Sequence, residues 1–378
     1  MLSLSAAASV ALFACACARS APANTPGAEA RSATTPGTEA RAASNAPVSS
    51  STALVTPGGT VTSSARETSQ DVSATPGTPH APQKNTESSG AFPPASISPP
   101  FAKTASAGDG AWTPFGDAAL GERAATGSFI VRTVLHPHPG SRYLTVTIAA
   151  IDLTRVAMRL VPGTEDMLWA KRPESEPSGL VPSEARDRLL AVMNGGFQPK
   201  HGHWGLVAGP VTIAPPRDEG CTLALYRDGS VRLGPWPALA ASQPEMRDLR
   251  QTPPCLLDDG AVHPALLRGE DKRWAGHAAD LETRRRSAVG LDASGRVLFY
   301  AMGEEAAPRW LADALRLAGA RTAAELDINW YWTRFLLFGK PKGEPLQITS
   351  TLIPKMEHLK RGYVERPSTR DFFYFVER

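Results

Sequence analysis

The sequence predicts an α+β fold, in which one β-rich mixed domain with few helices follows a long N-terminal segment that does not fold. Three observations support this prediction. From Trp112 onward, short apolar runs alternate with turn dipeptides such as Asp228-Gly229, which is typical of antiparallel hairpins. One amphipathic helical pattern covers 308–319. Before Gly110 the chain consists mainly of Ala, Ser, Thr, Pro and Gly.

The first residues resemble an export signal. The run "MLSLSAAASVALFACACA" is too short and too interrupted to span a bilayer and ends in small residues and cysteines. Leu12-Phe13-Ala14-Cys15 resembles a lipobox, in which Cys15 would be lipidated, although no Lys or Arg precedes the run. A plain secretory signal cut near Ala18 is the alternative. We predict that residues 1–19 are a signal peptide or lipoprotein leader and that the protein is exported, as a cell-envelope lipoprotein or a secreted protein.

The composition of the next segment predicts a linker. Between residues 20 and 110 there are too few large apolar side chains to offset the conformational entropy lost on folding. We therefore predict a disordered linker over 20–110 and a folded domain over 111–378.

Charge argues against a nucleic-acid partner. The 40 basic and 37 acidic residues leave a formal net charge of +3, and no basic stripe carries interleaved aromatic residues. No cofactor motif is present either, and we predict no cofactor.

Two of the four cysteines, Cys221 and Cys255, lie in the predicted domain. In an exported protein they can form one disulfide, which would stabilise the fold by roughly 3 kcal/mol through the loop that it closes. The sequence alone leaves open whether the two residues meet.

The elements of the domain follow from apolar runs and turns. The predicted strands lie in 143–151, 156–161, 189–193, 206–213, 221–234, 255–264, 287–302, 322–327 and 371–378. The one clear helix begins at Pro308, where a helix tolerates proline, and stops at Gly319. It leads into a short apolar strand that delivers Asp327 to its end.

A polar stretch, "AVMNGGFQPKHGHWG", covers 191–205. After a buried strand, Asn194, Gly195 and Gly196 allow the backbone to bend so that successive N–H groups point into one concavity able to hold an anion. A tight turn with an Asn cap is the simpler alternative. His201 and His203 form an H-x-H pair, but no third ligand can be named, so we predict no metal site and keep these two residues as weak candidates.

Four segments in order, "AVMNGGF", "CLLDDGAV", "RRSAVGLDASGRVLFYAM" and "WLADALRLAGARTAAELDINW", resemble the phosphodiester glycosidase domain family, the N-acetylglucosamine-1-phosphodiester alpha-N-acetylglucosaminidase-like proteins. The family landmarks are an N-G-G-F/Y turn, an R-[ST]-A-x-G strand, and a helix leading to L-D-G-G-G-S. The matches cover about 189–335. After Asp327 the chain departs from the pattern, because Ile328–Tyr331 replace the glycines and serine, which is typical of a divergent bacterial branch.

The resemblance implies a hydrolase that cleaves a sugar-1-phosphodiester in envelope or extracellular glycans. Its partners would be a carbohydrate or glycosyl-phosphate substrate and, through the lipid anchor, a membrane. Asp327 would act as base or nucleophile, because it matches the family landmark, and Glu325 is the second candidate. Strand alternation places both carboxylates on one face, where they could work as a pair.

The remaining predicted contacts are with the substrate. Arg286 and the turn of Asn194, Gly195 and Gly196 would hold the phosphate. Asn329 and Trp330 would contact the sugar, because aromatic rings beside carboxylates suit sugar binding. The replaced glycines leave a second possibility, a catalytically inactive glycan-binding module of the same fold. A metal-dependent hydrolase that uses His201 and His203 is a third.

Overall fold

A computed structural model describes residues 92–115, 129–170, 179–274 and 284–378. The predicted leader, Cys15 and most of the predicted linker lie outside these ranges, and the domain boundaries stay a prediction.

Residues 92–112, around the predicted boundary between linker and domain, lie against the rest of the fold. Phe92, Ile97 and Trp112 pack on a hydrophobic cluster of the domain. The indole N–H of Trp112 donates a hydrogen bond of 3.0 Å to the carbonyl of Ala95. This segment therefore covers part of the core.

Strands dominate the described residues, and they follow the apolar runs between turns. In chain order they are β1 (Thr113–Pro114), β2 (Ile130–Leu135), β3 (Val146–Asp152), β4 (Val156–Val161), β5 (Leu189–Asn194), β6 (Leu206–Ala208), β7 (Val211–Ala214), β8 (Cys221–Tyr226), β9 (Val231–Pro235), β10 (Met246–Thr252), β11 (Leu257–Asp258), β12 (Ala261–Val262), β13 (Arg284–Asp292), β14 (Val297–Ala306), β15 (Ala320–Ile328), β16 (Phe335–Gly339), β17 (Gln347–Thr351) and β18 (Phe372–Glu377).

Helices are few and mostly short. The α-helices of the described ranges are α1 (Trp236–Leu239), α2 (Pro264–Leu267) and α3 (Pro308–Leu317). Short 3-10 helices occupy Asp166–Trp169, Ser183–Arg188, Ala240–Glu245 and Asp271–Trp274.

The strands form three antiparallel sheets. The first has the order β1-β2-β3-β14-β13-β15-β11-β12, the second β7-β6-β10-β8-β9, and the third β17-β16-β5-β18-β4. The predicted α+β class is therefore wrong, because the fold is β-rich throughout. In the described ranges α3 is the only α-helix longer than four residues, and the prediction gave this one helical pattern too much weight.

The first sheet is covered on both faces, as its alternating side chains require. One face belongs to a large cluster shared with the other two sheets, and the opposite face packs under α3. In β14, Leu298, Tyr300 and Met302 belong to the shared cluster, whereas Val297, Phe299 and Ala301 belong to the cluster under the helix.

The helix α3 forms where the sequence predicts it. Pro308 begins it, Leu311 and Leu315 are fully buried, and Gly319 follows its end with φ 101°. A left-handed backbone conformation directly after a helix favours glycine. The chain then enters β15 directly, which places Asp327 near the end of that strand.

The pairing of β13 with β15 contains a β-bulge. The register steps from Arg286–Ile328 to Ala288–Glu325, so one residue of β13 stands opposite the two residues 326–327 of β15. A bulge interrupts the strict alternation of side chains between the two faces of a strand.

Strand ends of the first and third sheets meet at one edge. The first residue of β18, Phe372, pairs with Val161 at the end of β4 and with Asn194 at the end of β5. The end of β15 joins them, because the N–H of Asp327 donates to the carbonyl of Gly195 at 3.1 Å. Polar residues that follow or precede these strands are therefore collected in one place.

Two further features concern the predicted export. Cys221 and Cys255 form a disulfide, which ties the start of β8 in the second sheet to the segment before β11 in the first. Among the described residues, no helix has the length and apolar character needed to cross a bilayer.

Candidate functional site

Asn194 lies at the centre of a buried hydrogen-bond network. Its Oδ1 accepts bonds from the hydroxyl of Tyr300 at 2.7 Å and from the backbone N–H of Arg334 at 2.9 Å. Its Nδ2 donates to the Oγ of Ser287 at 3.0 Å, and that hydroxyl donates to the carbonyl of Asp327 at 2.8 Å. A single serine therefore links Asn194 to Asp327.

The glycine turn after Asn194 holds an anion that belongs to the protein itself. The N–H of Gly195 donates to the carbonyl of Asp371 at 3.0 Å, and the N–H of Gly196 donates to the carboxylate of the same residue at 3.3 Å. A Cβ on Gly195 would overlap that carboxylate, and one on Gly196 would lie 2.9 Å from the guanidinium carbon of Arg250. The two glycines are thus required by close packing of charged side chains.

Arg250 and Asp371 form a completely buried ion pair. The Nε–Oδ2 distance is 2.8 Å and both side chains are 0% exposed. Arg250 also donates to the carbonyls of Gln251, at 2.8 Å, and of Phe197. Because buried charges are stable only when hydrogen bonds satisfy them, this pair fixes the loop that follows β5.

Asp327 forms a second buried ion pair, with Arg370, which is slightly less enclosed than the first. The Nη2–Oδ2 distance is 2.8 Å, and the side chains of Asp327 and Arg370 are 7% and 9% exposed. The other carboxylate oxygen accepts the N–H of Ile328 at 2.9 Å. Burial raises the pKa of Asp327 to about 6, although the Arg370 guanidinium opposes the shift. Its proton therefore leaves near neutral pH.

A third carboxyl, that of Asp166, joins this cluster. One oxygen accepts the N–H of Gly163 at 3.0 Å, whereas Oδ1 has no hydrogen-bond partner in the described ranges. Burial, followed by the neighbouring Asp371 carboxylate, raises the pKa of Asp166 to about 7. Asp166 is therefore a buried carboxyl next to Asp371 that holds its proton well above the ordinary carboxyl range.

Trp332 and two arginines lie on the outer side of the cluster. The guanidinium carbons of Arg370 and Arg334 are 5.1 Å and 5.9 Å from the centre of the Trp332 ring. The Nε atoms of both arginines are buried, and neither has a hydrogen-bond partner among the residues that the structure describes. The described residues therefore leave the hydrogen-bonding capacity of these two buried Nε–H groups unfilled.

Glu325 does not pair with Asp327, contrary to the expectation from strand alternation. The bulge at 326–327 interrupts the alternation on which that pairing rested, and Glu325 pairs with Arg286 at 2.8 Å. Arg286 also donates to the carbonyl of Trp274 at 3.0 Å. Burial raises the pKa of Glu325 to about 7 against the effect of Arg286. The side chain of Arg286 therefore contacts Glu325 and the carbonyl of Trp274 in the interior.

Asn329 and Trp330 have different roles in the structure. The side-chain oxygen of Asn329 accepts the N–H groups of Tyr331 at 2.9 Å and Trp332 at 2.7 Å, so it caps its own turn, with φ 145°. Trp330 is 47% exposed and lies beside Arg285, whose guanidinium carbon is 4.1 Å from the ring centre. Both Trp330 and Arg285 line a cavity whose lining does not include Asp327 or Arg370.

The histidine pair lies in a loop between β5 and β6. His203 has φ 52° and touches Trp169 ring to edge at 5.9 Å. Within the described residues, no group of three or more His, Cys, Asp and Glu is arranged to hold a metal ion.

Sequence reasoning missed several members of the cluster: Asp166, Arg250, Trp332, Arg334, Arg370 and Asp371. One signal was available for two of them. Arg370 and Asp371 stand directly before the wholly apolar start of β18, where a charged pair has no role within the strand itself. The other contacts depend on strand ends that are far apart in sequence.

Comparison with known proteins gives distant structural similarities. The chain aligns with the catalytic domain of zebrafish N-acetylglucosamine-1-phosphodiester alpha-N-acetylglucosaminidase, auto-inhibited by its pro-peptide, at 14% identity and a TM-score of 0.42, over 67% of this chain and 85% of that one. A hypothetical protein from Synechocystis aligns at 12% identity and a TM-score of 0.37, over 62% of this chain and 59% of the other. No family model and no curated protein matches the chain.

Proposed function

We propose that this chain is a hydrolase that cleaves the bond between the anomeric carbon of a sugar and the phosphate of a glycosyl phosphodiester. One observation carries the proposal. Asp327, with a pKa of about 6, is paired with Arg370 beside Trp332, in a cluster whose buried donors and acceptor are partly unfilled. The sequence resemblance between 189 and 335 points to the same reaction.

The proposed reaction uses the two carboxyls at different protonation states. Asp327 attacks the anomeric carbon or activates the water that does so. The bond between the anomeric carbon and the oxygen attached to phosphorus breaks, and its electron pair stays with the phosphate oxygen. Asp166 is the proton donor of the pair. Water supplies the new hydroxyl group, and the products are the free sugar and a phosphate monoester.

The phosphate is assigned to Arg370 and Arg334. Each has an Nε–H beside Trp332 that no described residue accepts, whereas Arg286 is buried against Glu325 and the glycine N–H groups are bonded to Asp371. A sugar ring would lie on Trp332, since its apolar face suits an aromatic surface. Glu325 has a structural role in this proposal.

The test is hydrolysis of a panel of sugar 1-(methyl phosphates) by the full chain, followed by NMR detection of free sugar and methyl phosphate. Asp327→Asn should lower kcat/KM at least about 1,000-fold, because it removes the reacting carboxylate. Glu325→Gln is the matched control on the same strand and should stay within about tenfold of the wild type. Wild-type inactivity on the whole panel, or full activity of Asp327→Asn, would exclude this function.

The second candidate is the catalytically inactive glycan-binding module. The observation that favours it is the occupation of the glycine turn by Asp371, which fills a place that otherwise receives an anion. Glycan binding by a wild-type chain that hydrolyses none of the panel would establish this alternative.

We also propose that the protein is exported and held at the membrane through Cys15, with residues 20–110 as the linker. The Cys221–Cys255 disulfide supports an oxidising compartment. Labelling with a radioactive fatty acid in a bacterial host should mark the wild type and not Cys15→Ser. Equal labelling of both would exclude this anchor.

A further inference from the structure

A cavity of about 480 Å³ opens beside the turn that follows Asp327. Its size lies within the range of roughly 300–1,000 Å³ that is typical of small-molecule sites. The side chains that line it and bear on its chemistry are Arg285, Glu304, Trp330, Tyr331, Lys355 and Glu357. The reacting groups proposed above, Asp327 and Arg370, do not line it.

Two exposed aromatic side chains form the apolar part of the cavity. Trp330 is 47% exposed and Tyr331 is 64% exposed, and they follow each other on one turn. Asn329 stiffens that turn, because its side chain and its carbonyl together accept three hydrogen bonds from residues 331–333. The ring of Trp330 is held in turn by the Arg285 guanidinium at 4.1 Å. The aromatic surface is therefore presented in a fixed orientation.

The polar part of the cavity has unfilled hydrogen-bonding capacity. The side chain of Arg285 is only 6% exposed, yet its Nε–H has no acceptor among the described residues. Such buried donors usually have a partner. Lys355 and Glu357 form no ion pair within the described part of the chain. The cavity therefore offers both donors and acceptors to a ligand.

The charges around the cavity balance. Arg285 pairs with Glu304 at 2.5 Å, and Lys355 and Glu357 add one charge of each sign. A strongly acidic or basic ligand gains no net attraction from such a lining. A molecule with apolar ring faces and many hydroxyl groups fits it best, because hydroxyls both donate and accept.

We propose that this cavity is a binding site for a neutral oligosaccharide, stacked on Trp330 and Tyr331, and distinct from the Asp327 cluster. This binding goes beyond the proposed hydrolysis, since it requires no turnover. It would retain a glycan on the protein whether or not the neighbouring cluster reacts.

The test is isothermal titration of the full chain with a panel of neutral tetrasaccharides, namely chitotetraose, cellotetraose, maltotetraose and mannotetraose. We expect at least one of them to bind. Trp330→Ala and Tyr331→Ala should each weaken its binding about tenfold or more, whereas Trp330→Phe should retain most of it. Asp327→Asn should bind as the wild type does, which separates this site from the catalytic proposal.

The matched control is Tyr143→Ala. Tyr143 is 84% exposed and lies beside Arg142 at 5.6 Å, so it shares the arginine–aromatic contact without lining this cavity. It should leave binding unchanged, and thermal melting of each variant checks the fold. The proposal is overturned if no tetrasaccharide binds, if both alanine variants at 330 and 331 bind normally, or if tetragalacturonate binds more tightly than every neutral sugar.

Discussion

Glu325 and Asp327 are two residues apart on β15, and each is paired with an arginine at 2.8 Å, yet their surroundings differ. The side chains of Glu325 and Arg286 are 0% and 1% exposed, whereas those of Asp327 and Arg370 are 7% and 9% exposed. Beside Asp327 the strand ends bring a third carboxyl, further arginines and Trp332.

The difference teaches that a buried ion pair is not a site by itself. Both carboxyls have raised pKa values for the same reason, burial. What distinguishes Asp327 is slightly less complete burial and the presence of Trp332 beside its arginine. We therefore expect the Glu325 pair to act mainly on stability and the Asp327 pair mainly on activity.

The largest effect should come from Arg286→Met, which leaves the Glu325 carboxylate buried without its cation. The free energy of unfolding should fall by about 3–5 kcal/mol in urea titrations at pH 7.5. The double variant Arg286→Met/Glu325→Leu should recover most of that loss, because it removes both charges. A loss below about 1 kcal/mol would contradict the structural role of this pair.

Arg370→Met should affect activity more than stability. Its stability should change less than that of Arg286→Met, since this pair is less completely buried, while kcat/KM on a glycosyl phosphodiester should fall about 100-fold. Arg370→Lys, which keeps the charge, should recover part of the activity. An active Arg370→Met enzyme would remove Asp327 and Arg370 from the proposed site.

The pH dependence of stability should sharpen the comparison. The folded pKa of Glu325, about 7, and of Asp327, about 6, lie above the ordinary carboxyl range, so the folded state binds more protons than the unfolded state between about pH 4 and pH 7. The stability that this provides is present at low pH and is lost as the pH rises through these values. Each group should contribute roughly 3 kcal/mol to that fall.

Urea titrations between pH 4.5 and 8 measure this slope. Glu325→Gln and Asp327→Asn should each make the slope shallower, since each removes one titrating group. An unchanged slope in either variant would show that its carboxyl has an ordinary pKa in the fold.

The smallest effect should come from the turn on the Asp327 side. Asn329→Ala removes a side chain that accepts two backbone N–H groups and places alanine at φ 145°, so we expect a loss of about 1 kcal/mol in the free energy of unfolding. Asn329→Gly should lose less, since glycine adopts this φ easily. Equal losses in thermal melting would show that the backbone conformation is not the cause.

Much of this arrangement is local and is visible in the sequence. The hairpin turns, the helix from Pro308 and the strand that delivers Asp327 all follow from apolar period and turn residues. Asn194 and Asp327 also come together in the structure through Ser287. The α+β class was wrong because the single strong helical pattern at α3 received too much weight beside the many strands. Local patterns also do not show which strands share a sheet.

The remainder depends on contacts between distant segments. Arg370 contacts Asp327, 43 residues away in sequence, and Asp371 contacts Arg250, 121 residues away. Local sequence periodicity does not predict pairs at such separations. The bulge depends on the register between β13 and β15, which is why alternation wrongly placed Glu325 beside Asp327. The predicted anion-holding turn at 195–196 stays a prediction for a ligand, because in the structure the N–H of Gly196 donates to the Asp371 carboxylate and that of Gly195 to the Asp371 carbonyl.

The bulge in β15 also has a consequence for sequence comparison. Deleting one residue at 326–327 would restore regular alternation and turn the following side chain towards the opposite face of the sheet. In a relative without the extra residue, an acid aligned with Asp327 would therefore face the other side of the sheet. The reactive role can be transferred to such an acid only if that chain has the bulge as well.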